Sequence, residues 1–113
     1  MNKDGYSAVK AYLVLDFKIT DLHAFMEYVD KIPAFINKHN GKYLVEGVRP
    51  EVIEGEWQPE TLVVLEFETR ENANNFLSDA EVKALFTIRH KNTQGNLILV
   101  NGGSWRDAEY SNA

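Results

Sequence analysis

The chain has 113 residues, 44% of them hydrophobic and 26% charged, with a formal net charge of −5. Such a length and apolar content suit one globular core rather than two, and exclude a disordered chain. Its twelve Lys and Arg are scattered rather than striped, so a nucleic-acid partner is not expected, and the lack of cysteine excludes disulfides, thiolate nucleophiles and Cys-based zinc or iron–sulfur sites. The longest apolar runs, such as Leu62 to Leu65, are far too short to span a bilayer, and Met1 to Ser7 lacks the apolar stretch of a signal peptide. No membrane association and a cytoplasmic location are the expectations.

Residues 1–7 and 103–113 are polar and aperiodic and read as tails around a single domain over 8–102. Val9 to Ile19 is predicted as a strand, with Ala11, Leu13, Leu15 and Phe17 alternating against Tyr12, Val14 and Asp16. Thr20 or Asp21 can cap a helix whose apolar stripe is Leu22, Phe25, Met26, Val29, Ile32 and Ile36, interrupted by Pro33 and stopped at Asn40-Gly41. Lys42 to Gly47 is the second strand, and after a bulge or turn at Gly47, Arg49 and Pro50 the stretch Glu51 to Trp57 reads as resumed extended structure. Thr61 to Phe67 is the clearest strand. Thr69 can cap a short helix carrying Ala73, Phe76 and Leu77. Ser78 and Glu81 have capping-box spacing for another helix, carrying Val82, Leu85 and Phe86, that runs to about Thr93 and ends at Gly95. Asn96 to Asn101 closes the chain as the last strand. The order is β-α-β-β-α-β, an α+β, ferredoxin-like protomer with both helical segments on one face of an antiparallel sheet.

Strand parity carries the next inference. Leu13, Leu15 and Phe17 share one face with Val63, Leu65 and Phe67, the partners of the helix stripes. The opposite face is also apolar at Tyr12, Val14, Leu62 and Val64, where a solvated face would be polar. A second copy packed sheet against sheet is the economical cover, with a different protein as the alternative.

From about Lys10 to Gly102 the chain resembles the family known as domain of unknown function 1330, of the dimeric α/β-barrel superfamily. The resemblance is carried by Gly41-Lys42-Tyr43-Leu44-Val45 with Gly47, Val52-Ile53-Glu54-Gly55-Glu56-Trp57 with Pro59, Val63-Val64-Leu65-Glu66-Phe67, Ser78 with Glu81 and Arg89, and Leu97 to Gly102. It implies a ferredoxin-like protomer and a homodimer whose two sheets close into one barrel. The chain departs from the family at Glu46, where Arg is common, at Val48, where a second Gly is common, and at Val82, where Tyr is common.

Glu66 shares parity with Leu62 and Val64, so partial desolvation would raise its pKa and suit proton transfer. The plainer reading is a strand-end carboxylate reaching water or an Arg. Arg89 falls on the apolar stripe of its helix and needs a partner, for which Glu66 and Glu54 are candidates. It can grip a substrate carboxylate or simply pin the helix. Trp57, Tyr12 and Tyr43 can wall a ligand pocket or close a core. His39, in the last turn of the first helix, is a further ligand-binding candidate beside its plainer role at the helix dipole. His23, His39 and His90 lack metal-ligand spacing, and neither a nucleophile elbow nor a phosphate loop occurs, so no metal and no cofactor are expected.

Two functions follow. One is a cofactor-independent enzyme acting on a compact organic acid or ketone in the barrel pocket, with Glu66 as general base and Arg89 as anion clamp; it rests on superfamily analogy. The alternative is a non-catalytic dimer that binds a small molecule or scaffolds a partner, with haem binding a distant third.

Overall fold

The computed structural model describes residues 9–107. The expected tail 1–7 and the last part of the tail at 103–113, residues 108–113, lie outside the described residues. The elements are β1 (Ala11–Ile19), α1 (Leu22–Lys38), β2 (Gly41–Val48), β3 (Thr61–Phe67), α2 (Arg70–Ser78), α3 (Ala80–Asn92) and β4 (Thr93–Asn101). The strands form one sheet in the order β2-β3-β1-β4 with antiparallel neighbours throughout, and the helices cover one face: the ferredoxin-like α+β arrangement.

Alternation builds the core. Ala11, Leu13, Leu15 and Phe17 of β1 and Leu65 and Phe67 of β3 are buried against Phe25, Tyr28, Ile32 and Ile36 of α1, Ala73 and Phe76 of α2, and Val82 and Leu85 of α3. The α1 stripe is rotated from its expected position. Leu22 and Met26 are 60% and 40% exposed, and Tyr28 is buried instead. At about 100° per residue, Phe25, Tyr28, Ile32 and Ile36 cluster on one side while Leu22 and Met26 fall on its flank. Pro33 is accommodated inside a helix that continues to Lys38.

Local chemistry sets the boundaries. The Asp21 carboxylate caps α1 by accepting from the Ala24 N–H, and Asn40 takes a positive φ of 61° ahead of β2. Thr69 caps α2 as expected. Asp79 rather than Ser78 caps α3, accepting from the Glu81 N–H at 2.9 Å, because Ser78 is still in the last turn of α2. Gly95 does not end α3. The last carbonyls are satisfied by side chains: Asn92 Nδ2 donates to the Ile88 carbonyl at 2.8 Å, and Thr93 Oγ1 donates to the Arg89 carbonyl at 2.7 Å. Strand β4 therefore starts directly at Thr93. Gly95 lies within it opposite Phe17, where a Cβ would strike the Asp16 carbonyl oxygen and Phe17 Cα.

The stretch Glu51 to Trp57 forms no strand. Flanked by Pro50 and Pro59 and turning at Gly55 (φ 91°), it makes a loop instead. It is tied down where Trp57 Nε1 donates to Asp16 Oδ2 at 2.7 Å.

The face away from the helices consists of three cross-strand rows: Lys42, Glu66, Tyr12 and Val100; Val45, Val64, Val14 and Ile98; Val48, Leu62, Asp16 and Asn96. The middle row is entirely apolar. No helix of the described residues is long and apolar enough to cross a membrane.

Candidate functional site

A cavity of about 220 Å³ lies on the helix side of the sheet, between α1 and strands β1, β2 and β3. Its floor is Leu15, Ile32, Ile36 and Leu65, all buried. Leu22, Glu46, Gly47 and Thr61 also line it, and the first three of these are exposed, placing the mouth between the first turn of α1 and the end of β2. The local cause is β2. Its register against β3 breaks twice, between Tyr43 and Val45 and between Glu46 and Val48, so its outer half does not lie flat against the layer that α1 covers. A cavity of roughly 150 Å³ with an apolar lining holds a single aromatic ring, so this one has room for a compact organic molecule.

Two phenols add polar groups to the apolar wall, beside Glu46 and Thr61 at the mouth. Tyr28 and Tyr43 both line the cavity. Burial pushes the hydroxyl of each up to about 12; for Tyr28 this is opposed by the Arg89 charge, and for Tyr43 it is reinforced by Tyr28 and Glu46. Both are therefore neutral O–H donors at ordinary pH. Arg89 is buried immediately behind Tyr28, with its guanidinium carbon 6.0 Å from the Tyr28 ring centroid and 4.5 Å from that of Phe86. Burial lowers its pKa while Tyr28 raises it.

The other expected site residues lie elsewhere. Glu66 is on the open face, where Tyr12 Oη donates to Oε2 at 3.1 Å, and Lys10 and Lys42 Nζ stand 3.4 and 3.6 Å from Oε1. Desolvation is the largest influence on this carboxyl and pushes it up. The hydrogen bond from Tyr12 and the two lysines together outweigh it and hold Glu66 below the ordinary carboxylate value, opposite to the expected rise. Tyr12 is raised in turn, by desolvation and by its bond to Glu66. Neither Glu66 nor Glu54 pairs with Arg89. The sheet itself separates Arg89 from Glu66, so one ligand cannot touch both. Trp57 walls a cleft of the 49–60 loop with Val52, Ile53, Pro59 and Leu62, on the opposite face of the sheet from the cavity. His39 caps α1, and its Nε2 meets Asp79 Oδ2 at 2.8 Å, tying the end of α1 to the start of α3. Of the six expected site residues only Tyr43 lines the cavity, with Arg89 one layer behind.

Tyr28 and Glu46 were not singled out by pattern. Tyr28 carried a legible signal, standing three residues after Phe25 and four before Ile32. Tyrosine is amphipathic and is readily buried when its oxygen has somewhere to go. Glu46 is one of the departures from the family pattern, and its place at the cavity mouth is a property of the β2 bulges. Among the described residues no three His, Asp or Glu gather to hold a metal ion.

Solved structures with the same fold include a protein of unknown function from Rhodopseudomonas palustris, 10% identical over 92% of this chain and 95% of that one, with a TM-score of 0.71. Another is SnoaB, a cofactor-independent oxygenase from Streptomyces nogalater, 12% identical over 86% of this chain and 96% of that one, with a TM-score of 0.58. At such identities the likeness is one of fold alone. A search of curated protein sequences returns no match. The family model for the domain of unknown function DUF1330 matches residues 10–103, nearly the whole domain, and the chain belongs to that family.

Proposed function

We propose that this protein is a cofactor-independent enzyme acting on a compact, mostly apolar organic acid or ketone, and that the substrate sits in the cavity between α1 and the sheet. The cavity itself carries the reading: about 220 Å³, apolar on its floor, open at one end, and walled by two neutral phenols that can donate to a carbonyl or carboxylate oxygen. SnoaB, a cofactor-independent oxygenase on the same fold, supports the view that this architecture can run chemistry without a bound cofactor. The site moves from the space between protomers, where strand parity had suggested it, to the interior of each protomer.

The same proposal includes a homodimer. The open face presents Val45, Val64, Val14 and Ile98 as an unbroken apolar row, and a two-fold copy of that row is its natural complement. In such a dimer Glu66, Tyr12 and Trp57 belong to the interface.

The test is a panel of single-ring and short-chain organic acids and ketones, screened for a rise in Tm with the wild type and with Val63→Trp, whose indole occupies the cavity. Dioxygen uptake is followed on the compounds that bind. We expect at least one class to raise the wild-type Tm and to lose that effect in Val63→Trp. A panel without effect on the wild type, or equal effects on both proteins, refutes the cavity as the site.

A further inference from the structure

Among the described residues Arg89 is the one charged side chain in the core, only 5% exposed. Among these residues it has no carboxylate within ion-pair reach. Its Nε has no hydrogen-bond partner among them, one terminal nitrogen meets His90 Nε2 at 3.4 Å, and a side-chain hydrogen bond to Tyr28 works against the lowering of its pKa by burial. The ring faces of Phe86 and Tyr28 are its main company. Cation–π contacts contribute roughly 0.5–2 kcal/mol, whereas burying an unpaired ion costs several kcal/mol, so the rings do not offset the burial. Among the described residues the Arg89 charge therefore has no carboxylate partner, while the cavity's own carboxylate, Glu46, is exposed at the mouth. The charge stands beside the cavity, separated from it by one side chain. That side chain is Tyr28, which lines the cavity on one side and meets Arg89 on the other.

We propose that the cavity selects an organic oxyanion, with the apolar body of the ligand on the cavity floor, its charged oxygen at the Tyr28 and Tyr43 hydroxyls, and Arg89 supplying the opposite charge through Tyr28. This narrows the acid-or-ketone reading to the anion and rests on it. Arg89 does not touch the ligand; it is a specificity residue acting through a phenol that a neighbouring cation makes a stronger donor. An apolar cavity without such a charge does the reverse, because desolvation favours the neutral form of any acid that enters. The protonation state of a bound acid therefore reports directly on Arg89.

The probe is 4-nitrophenol, whose anion is yellow and whose neutral form is not, added to the full chain at a pH below the compound's own pKa. The bound compound is expected to be enriched in the yellow anion about tenfold over the free compound, one pKa unit. Arg89→Met, of similar length and uncharged, is expected to bind the probe in its neutral form, and Arg89→Lys to restore part of the anion signal. Tyr28→Phe reverses the signal without touching the arginine, and carries the test should Arg89→Met fail to fold. A neutral bound form in the wild type, or a yellow one retained in both Arg89→Met and Tyr28→Phe, overturns the inference while leaving the cavity as a binding site. Absence of binding in either form removes the cavity reading and this inference together.

Discussion

Replacing Ile98 by alanine tests the dimer through a side chain that the protomer itself scarcely uses. Ile98 stands at one end of the apolar row on the open face, paired with Val14, and is 58% exposed in the isolated protomer. Full burial of an isoleucine is worth about 1.5–3 kcal/mol, so roughly 1–1.5 kcal/mol remains to be gained when a partner covers it. A two-fold interface counts each substitution twice, which makes about 2–3 kcal/mol per dimer. At about 1.4 kcal/mol per decade, Ile98→Ala should weaken dimerisation by about 30- to 150-fold, against a cost to the protomer of under about 1 kcal/mol. Sedimentation equilibrium on both proteins, with a denaturant melt of each as control, measures the two effects separately. A wild type that sediments as a stable monomer at micromolar concentration refutes the reasoning, and so does a change in Kd of less than threefold.

Gly95→Ala should destabilise the fold by about 1–3 kcal/mol, since a Cβ there meets the β1 backbone at Asp16 and Phe17; an unchanged Tm would contradict the packing described. Tyr28 and Tyr43, with hydroxyls raised to about 12, contribute stability that is complete below pH 10 and is lost as the pH climbs through 12, because the unfolded chain ionises first. For the well-buried Tyr28 the rise from 10.0 to about 12 corresponds to roughly 3 kcal/mol, which a pH series of melts on Tyr28→Phe should show as a flattened alkaline limb. Asp79 has the opposite sign. Its hydrogen bond to His39 first, then that to Lys38, holds the carboxyl below its ordinary 3.8, so its contribution is present above that pH and is lost as the pH falls beneath it. Asp79→Asn should flatten the acid limb of stability, and an unaltered limb would show the cluster to be energetically idle.

The fold was legible because its signals are local and redundant. Alternation along Ala11 to Phe17 and Thr61 to Phe67, the caps at Asp21 and Thr69, and the Asn40-Gly41 stop all act within a few residues of themselves. Where two local solutions compete, the sequence reading slipped. Gly95 looks like a helix stop only until Asn92 and Thr93 are seen to close the last turn of α3 with their own side chains. Glu51 to Trp57 has strand-like composition but follows the end of β2 at Val48 as a loop, and its Trp is held by a contact 41 residues away, at Asp16. The cavity was the least legible feature. It arises from two bulges in β2 and from the rotation of α1 that turns Tyr28 inward, and neither leaves a periodic trace. Arg89 was recognisable as misplaced on an apolar stripe, but parity along separate elements does not reveal that a sheet stands between it and Glu66.

The most direct test of the account maps where a small acid binds, by following backbone amide resonances of the isotope-labelled protein as 4-nitrophenol is added. The account predicts that the largest shifts fall on Tyr43, Gly47, Thr61 and Val63 around the cavity mouth and wall. Shifts concentrated instead on Val14, Val64 and Ile98 of the open face, or none at saturating probe, would contradict it.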